Sequence, residues 1–108
     1  MTRTYNFNGK EYYVVATTYT NNQNLGVVMF EKENMNLLCV TANLQPVQEN
    51  FGYVDTRNMG EAIAPFLIEN KIATPTGIMK DSGYMRYQLW EFDLSKLMTL
   101  GELANVID

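Results

Sequence analysis

The sequence predicts a single α+β domain over residues 1–108, built on one mainly antiparallel sheet of five to six strands. Three observations support this prediction. Most of the first half consists of short segments rich in Thr and Tyr, which favour strands, separated by Asn-rich turns. A helical spacing of apolar residues then begins near residue 63, and another strand-like segment follows it. With 108 residues the chain has the size of one ordinary domain and can bury its own core.

The N-terminal region predicts a β-hairpin. Tyr5 and Phe7 alternate with polar neighbours and are followed directly by Asn8-Gly9. Asn-Gly is a strong hairpin signal, because both residues tolerate the positive φ of a type I′ turn. The second strand is expected over 10–19. Its Tyr-Tyr-Val-Val-Ala run is apolar on both alternating sets of positions, which indicates a strand that is central or covered on both faces.

Three further strands are expected before the helix. They lie at 25–30, 36–44 and 51–54, with a polar loop over 21–24 and a turn at 33–34. Together with the N-terminal hairpin they make up most of the predicted sheet.

A main helix is predicted from Asn58 to about Asn70. Asn58 with Glu61 three residues later fits an N-cap with a capping-box glutamate. The apolar stripe that packs this helix on a sheet face consists of Ile63, Phe66 and Leu67. Pro65 conflicts with an unbroken helix. Either the helix is kinked there, or a short turn precedes a helix that begins close to Pro65.

The last third of the chain predicts a loop, a strand and a short helix. Turn residues at 74–77 and 81–83 indicate a loop region. Residues 85–92 are predicted to form a long strand. Residues 94–98 are predicted to form a short C-terminal helix with Asp93 as its N-cap.

The composition excludes the commonest catalytic and metal chemistry. The chain has no histidine and a single cysteine, Cys39. A Cys/His zinc site, a Ser-His-Asp or Cys-His arrangement and an internal disulfide are therefore excluded. No glycine-rich phosphate loop occurs. We expect no catalytic residue, no cofactor and no metal, and a protein that is not an enzyme. Cys39, in a strand context, is expected to be a buried small hydrophobe.

One enzymatic alternative stays open, a reaction that uses only carboxylates and tyrosines. Asp55, Glu61 and Asp81 are the acids from which such a site would be built. Asp55 and Glu61 are explained more simply by their position at a helix N-terminus, where negative charge is stabilising.

The charge balance argues against binding to nucleic acid. Eight basic and twelve acidic residues give a net charge of −4, and the bases are interleaved with acids. An alternative is a module that binds single-stranded nucleic acid or a small ligand through sheet aromatics. The candidate aromatics are Tyr12, Tyr13, Tyr84, Tyr87 and Trp90.

Nothing in the chain predicts a membrane segment. The N-terminus lacks the apolar region of a signal peptide. The longest apolar runs have about five residues, against roughly 20 for a bilayer span. We expect a protein of a reducing compartment, most simply the bacterial cytoplasm.

Six short motifs occur in order along residues 5–93. They are YNFNGKEY at 5–12, TANL at 41–44, VDTRN at 54–58, PTG at 75–77, SGY at 82–84 and YQLWEFD at 87–93. This set resembles a family of short, functionally uncharacterised bacterial proteins carried by conjugative elements and phages of gut anaerobes. The sequence departs from the family at Gln88, where proline is expected, and at Arg57, where asparagine is commoner. The resemblance implies an accessory gene of a mobile element and carries no activity.

The leading hypothesis is a non-enzymatic protein that binds a host protein or a protein of the element. Inhibition of a host defence system is one such activity. Loops on a rigid scaffold carry function more often than strand interiors, and Arg and Tyr are enriched at interface hot spots. The expected contact residues are Arg57, Tyr84, Arg86 and Trp90. A homodimer is a further expectation, because an open sheet leaves edge strands; the candidate edge is the N-terminal hairpin with Thr2, Thr4 and Tyr5.

Overall fold

The computed structural model describes residues 3–107, which form an α+β structure with two antiparallel four-stranded sheets. The strands are β1 (Tyr5–Phe7), β2 (Lys10–Thr18), β3 (Leu25–Glu31), β4 (Leu37–Cys39), β5 (Thr41–Ala42), β6 (Phe51–Val54), β7 (Ala73–Ser82) and β8 (Met85–Phe92), and the helices are α1 (Thr56–Met59), α2 (Ile63–Glu69) and α3 (Leu100–Ile107). Sheet A has the order β1-β2-β3-β4, and sheet B the order β5-β6-β8-β7. The predicted class is confirmed, but the prediction of one sheet of five to six strands is wrong.

The N-terminal hairpin forms as predicted. Asn8 and Gly9 have φ values of 51° and 84°, the positive values that a type I′ turn requires. β2 is an inner strand of sheet A and is covered on both faces. Tyr12 and Val14 face the main core, whereas Tyr13 and Val15 contact a second cluster that contains Leu103 of α3.

The expected strand over 36–44 is divided between the two sheets at Val40. The Val40 N–H donates to the carbonyl of Val27 in β3 at 2.9 Å, and the Val40 carbonyl accepts from the Asp55 N–H at 2.8 Å. β4 therefore pairs with β3 of sheet A, and β5 pairs with β6 of sheet B. Cys39 is exposed at this strand, so its expected burial is wrong.

The Thr41 side chain fixes the corner where the chain passes from one sheet to the other. Its Oγ1 accepts from the buried Val27 N–H at 3.0 Å and lies 3.1 Å from the Tyr19 hydroxyl. A Cβ on Gly52 would lie only 3.2 Å from the Thr41 methyl group. Glycine at position 52 thus allows β6 to approach this corner closely.

The predicted main helix is two helices separated by Gly60, whose φ is 80°. Asp55 caps α1 by accepting from the Asn58 N–H, so the predicted Asn58 cap and its capping box with Glu61 are wrong. Pro65 is the third residue of α2, where an N–H has no partner within the helix. The second of the two expected arrangements, a helix that begins close to Pro65, is confirmed.

Side chains from both sheets and from α1 and α2 meet in the main core. Phe66 of α2 contacts sheet A edge-to-face, with its ring centroid 5.0 Å from that of Phe7 and 6.2 Å from that of Tyr5. The predicted apolar stripe of Ile63, Phe66 and Leu67 is buried, which confirms the packing face of the helix.

The C-terminal third differs most from expectation. The loop predicted over 74–83 is largely strand β7, and only its last part, at Gly83, is a turn. The helix expected at 94–98 is a single 3₁₀ turn, Leu94–Lys96, capped by Asp93, and α3 is an additional helix. Met98 between them pairs with β2, donating to Val14 and accepting from Ala16. No helix within residues 3–107 has the length and apolarity needed to cross a membrane.

We predict that Phe66→Ala costs about 3–5 kcal/mol of unfolding free energy, because it removes a buried ring from between α2 and sheet A. Chemical denaturation measures this change. Ile68→Ala, on the exposed face of the same helix, is the matched control and should cost less than about 1 kcal/mol. Equal losses in the two variants would contradict the packing described for Phe66.

We predict that Thr41→Val costs about 1–3 kcal/mol, although valine has nearly the same shape. The substitution leaves the buried Val27 N–H without its acceptor. Denaturant unfolding measures the loss. Thr17→Val in β2 provides a control for the loss of a partly exposed hydroxyl, and a Thr41→Val variant as stable as this control would disprove the role of the corner hydroxyl.

Candidate partner-binding hairpin

The β7–β8 hairpin extends beyond the rest of sheet B. β8 pairs with β6 only from Gln88 to Glu91, but it pairs with β7 as far as Met85. The hairpin therefore continues past the end of β6 by three residue pairs, which corresponds to about 10 Å before the turn. We call residues 78–87 the distal hairpin.

The distal hairpin exposes apolar side chains. Tyr84 is fully exposed at the turn, and Ile78 and Met79 are about half exposed, at 55% and 47%. These are three of the seven large hydrophobic side chains that are exposed in the described part of the chain. Their occurrence on one hairpin, two at its base and one at its projecting turn, distinguishes them from single exposed apolar residues, which are ordinary on protein surfaces.

A bulge in β7 marks the base of the distal hairpin. Between Pro75 and Met79 the register advances four residues on β7 but only two on β8. The Thr76 hydroxyl donates to the Leu89 carbonyl at 2.7 Å and accepts from the Ile78 N–H at 3.1 Å. Proline and a bulge on an edge strand hinder the addition of another strand along that stretch. At the base of the distal hairpin, side chains are therefore better placed for recognition than the backbone edge.

An ion pair crosses the distal hairpin. Arg86 Nε donates to Asp81 Oδ1 at 2.8 Å, and the two residues are directly opposite in the strand register. The hydrogen bond from Arg86 lowers the pKa of Asp81, with a smaller contribution from the charge of Lys80. Both side chains are exposed, so the pair orders the hairpin locally and contributes little to overall stability.

The structure separates the four residues expected to contact a partner. Tyr84 and Arg86 lie together on the distal hairpin. Arg57 is exposed on α1, and no hydrogen bond or ion pair joins it to the hairpin in residues 3–107. Trp90 is only 3% exposed and belongs to the main core, so it is not available to a partner. Ile78 and Met79 were not expected from the sequence, because their region read as a loop.

The aromatic residues of the sheets are mostly inside the protein. Of the five considered for stacking on bases, Tyr12, Tyr13 and Trp90 are buried, and Tyr87 is half-buried. Only Tyr84 presents its whole ring to solvent. A stacking platform needs several exposed faces, so these sheets lack the arrangement expected for base recognition.

The three acids considered for catalysis have separate positions. Asp55 caps α1, Asp81 pairs with Arg86, and Glu61 is exposed between the two short helices. Within the described residues, no group of three or more acidic or cysteine side chains is placed to hold a metal ion.

The fold and the projecting hairpin define a small α+β protein made of two linked antiparallel sheets. The chain belongs to the family described as a domain of unknown function, DUF4313, whose model matches residues 14–104. No curated protein and no solved structure matches the chain.

We predict that Arg86→Ala raises the pKa of Asp81 towards its ordinary value of 3.8. In the folded protein this pKa is lowered, so the ion pair is complete above 3.8 and is lost as the pH falls through the lowered value. Carboxyl ¹³C chemical shifts during an acid titration measure the change. Lys80→Ala is the control and should move the pKa less, because Lys80 makes no hydrogen bond to Asp81; a larger shift in this control would refute the assignment.

Proposed function

We propose that this protein is a small non-enzymatic binding protein that attaches to another protein through its distal hairpin. The observation that carries this proposal is the exposure of Ile78, Met79 and Tyr84 on the distal hairpin, with Ile78 and Met79 at its base and Tyr84 at the turn that projects beyond β6. Exposed apolar groups of this kind lose unfavourable contact with water when a partner covers them. The bulge and the cross-strand ion pair hold the hairpin in shape, which lowers the entropic cost of binding.

The charge of the distal hairpin differs from that of the whole chain. Lys80, Asp81 and Arg86 give it a net charge of +1, whereas the chain carries −4. Because Asp81 occupies one edge of the Arg86 guanidinium, the remaining edge can bind a carboxylate of a partner. The surface that fits the hairpin is therefore an apolar pocket with an acidic group at its rim.

The biological setting of the proposal follows from the sequence motifs. Their resemblance to accessory proteins of conjugative elements and phages supports a role in a mobile genetic element of a gut anaerobe, acting in the bacterial cytoplasm. A host protein or a protein of the element is then the partner. Inhibition of a host defence system is one function that such binding would serve.

We predict that replacing Ile78 by Ser together with Tyr84 by Ala abolishes partner capture while leaving the fold intact. Both side chains are exposed, so the melting temperature should change little. Immobilised wild-type and variant protein are incubated with a lysate of a gut anaerobic bacterium, and captured proteins are quantified by mass spectrometry. The partner is the protein that is retained by the wild type and lost with the double variant.

Leu37→Ser is the matched control, because Leu37 is as exposed as Ile78, at 53% against 55%, but lies on β4 of sheet A. For the purified partner, the double variant should weaken binding by about 2 kcal/mol or more, roughly 30-fold, and the control should not. Equal capture by wild type and double variant would show that the distal hairpin is not the binding surface.

The wild type, the double variant and the Leu37→Ser control also test the alternative function, binding of single-stranded nucleic acid. A labelled single-stranded oligonucleotide should bind none of them at low salt. Tight binding that weakens steeply with added salt would identify phosphate contacts and overturn a protein-binding function.

A further inference from the structure

A separate groove lies at the other end of the β7–β8 hairpin. It is an open groove bordered by the C-terminal end of α2, the start of β7, the end of β8, the 3₁₀ turn and residues 49–50. Its volume of about 770 Å³ is within the range of sites that bind ligands or peptide side chains, roughly 300–1,000 Å³. Glu91 in the groove and Tyr84 at the hairpin turn are seven residues apart along the hairpin, which corresponds to about 23 Å.

The groove has an apolar lining that is partly exposed. Ile72, Ala73 and Phe92 are buried lining residues. Ile68 of α2 and Leu94 of the 3₁₀ turn are about half exposed, at 52% and 42%, and both line the same groove. Because Ile68 and Leu94 come from two elements and line one groove, they form a shared apolar patch and are not single exposed residues.

The end of α2 holds Ile68 in place. Lys71 adopts a φ of 57°, and its N–H donates to the Ile68 carbonyl. The Ile72 N–H donates to the Leu67 carbonyl, which completes the double hydrogen bond of a Schellman ending. Both Leu67 and Ile72 are fully buried in the main core. The backbone that carries Ile68 is therefore fixed at the edge of the groove.

The charged lining of the groove is predominantly acidic. Glu49, Glu91 and Asp93 contribute three carboxylates, and Lys71 contributes one ammonium group. Two of the carboxylates are positioned by neighbours. Asn50 donates to Glu91 at 3.2 Å, and the Ser95 hydroxyl and N–H both donate to Asp93, at 2.6 and 3.0 Å. These Ser95 bonds lower the pKa of Asp93 and keep the carboxylate charged.

An apolar surface bordered by fixed carboxylates selects its occupant by charge. A purely apolar segment would shield these acids from water without replacing their hydrogen bonds, which is unfavourable. An acidic segment or a phosphate group would be repelled. A segment with both an apolar side chain and basic groups can contact the apolar lining and pair with the carboxylates at the same time.

We propose that this groove binds a short cationic, amphipathic segment of a partner protein, with an apolar side chain between Ile68 and Leu94 and a lysine or arginine against Glu91 and Asp93. The inference rests on the proposed protein-binding function but uses a surface other than the distal hairpin. Because no residue of the distal hairpin lines the groove, substitutions in one should leave the other unaffected.

Peptide selection tests this proposal directly, because it needs no identified partner. Short random peptides displayed on phage are selected against the immobilised full chain, and enriched peptides are synthesised with a fluorescent label. Their affinity is measured by anisotropy. We expect the enriched peptides to combine Lys or Arg with Leu, Ile or Phe, and their binding to weaken between about 0.05 and 0.3 M salt as charges are screened.

Substitutions in the groove and outside it show where the selected peptides bind. Ile68→Ser and Glu91→Lys should each reduce peptide affinity at least tenfold, whereas Leu37→Ser and the Ile78→Ser/Tyr84→Ala variant should not. Melting temperatures establish that each variant is folded, and Leu94→Ser replaces Glu91→Lys if the latter is not. Peptide binding that is lost in the groove variants, together with equal lysate capture by the wild type and the hairpin variant, would support the groove and refute only the hairpin.

Three results would overturn the proposal. Enriched peptides that are neutral or acidic would contradict the charge argument. Affinities unchanged by Ile68→Ser and Glu91→Lys would place the peptides elsewhere. Self-association of the wild type at rising concentration, lost in Ile68→Ser, would identify a second copy of the chain as the occupant.

Discussion

The crossing of the chain from sheet A to sheet B at Val40 and Thr41 is the contact on which the rest of the fold depends. Val40 uses its N–H in one sheet and its carbonyl in the other, so a single residue is bonded to both. Thr41 then accepts from Val27 with its side chain, where an uninterrupted strand would have used its backbone. Strands that bend from one sheet into another form the corners of two-sheet structures, and here the bend places one face of each sheet around a common core.

The same corner determines why the distal hairpin projects. Asp55 follows the last residue of β6, and it has two fixed roles: its N–H donates to Val40, and its carboxylate caps α1. β6 must therefore end at Val54 and turn into a helix, while β7 and β8 have no such restriction. β8 is twice as long as β6, with eight residues against four. The exposed end of the hairpin is thus a consequence of unequal strand lengths that the corner imposes.

Local signals in the sequence predicted those elements that local interactions decide. The positive φ values of Asn8-Gly9, the strand at 85–92 and the effect of Pro65 on the helix were all predictable. The two-sheet arrangement was not, because no residue type in 36–44 indicates that its halves pair with different strands. β7 was missed for a different reason: proline and glycine usually mark loops, but here they occupy a bulge on an edge strand.

For the candidate site, too, the sequence predicts what local interactions decide and does not predict what depends on the packing of the sheets. Tyr84 and Arg86 were identified because a turn before a strand is a recognisable exposed position. Trp90 is predicted to contact a partner in support of Arg57 and Tyr84, yet its position in the alternation of β8 places it inside the core. The exposure of Ile78 and Ile68 depends on which elements pack beside β7 and α2. That packing is a property of the assembled sheets, so no short stretch of sequence reveals it.

The two surfaces use one pair of strands, and this geometry limits how a partner can engage both. β7 begins in the groove and ends in the distal hairpin, and β8 returns along the same path. Because ladder hydrogen bonds join the two strands from end to end apart from the bulge, the distance of about 23 Å between Glu91 in the groove and Tyr84 at the turn is nearly fixed. A partner with an apolar pocket and a basic segment at that spacing would bind at both ends, and the second contact would form at a high effective concentration. A partner that lacks this spacing would occupy one end and leave the other free, so the same protein could then join two different partners.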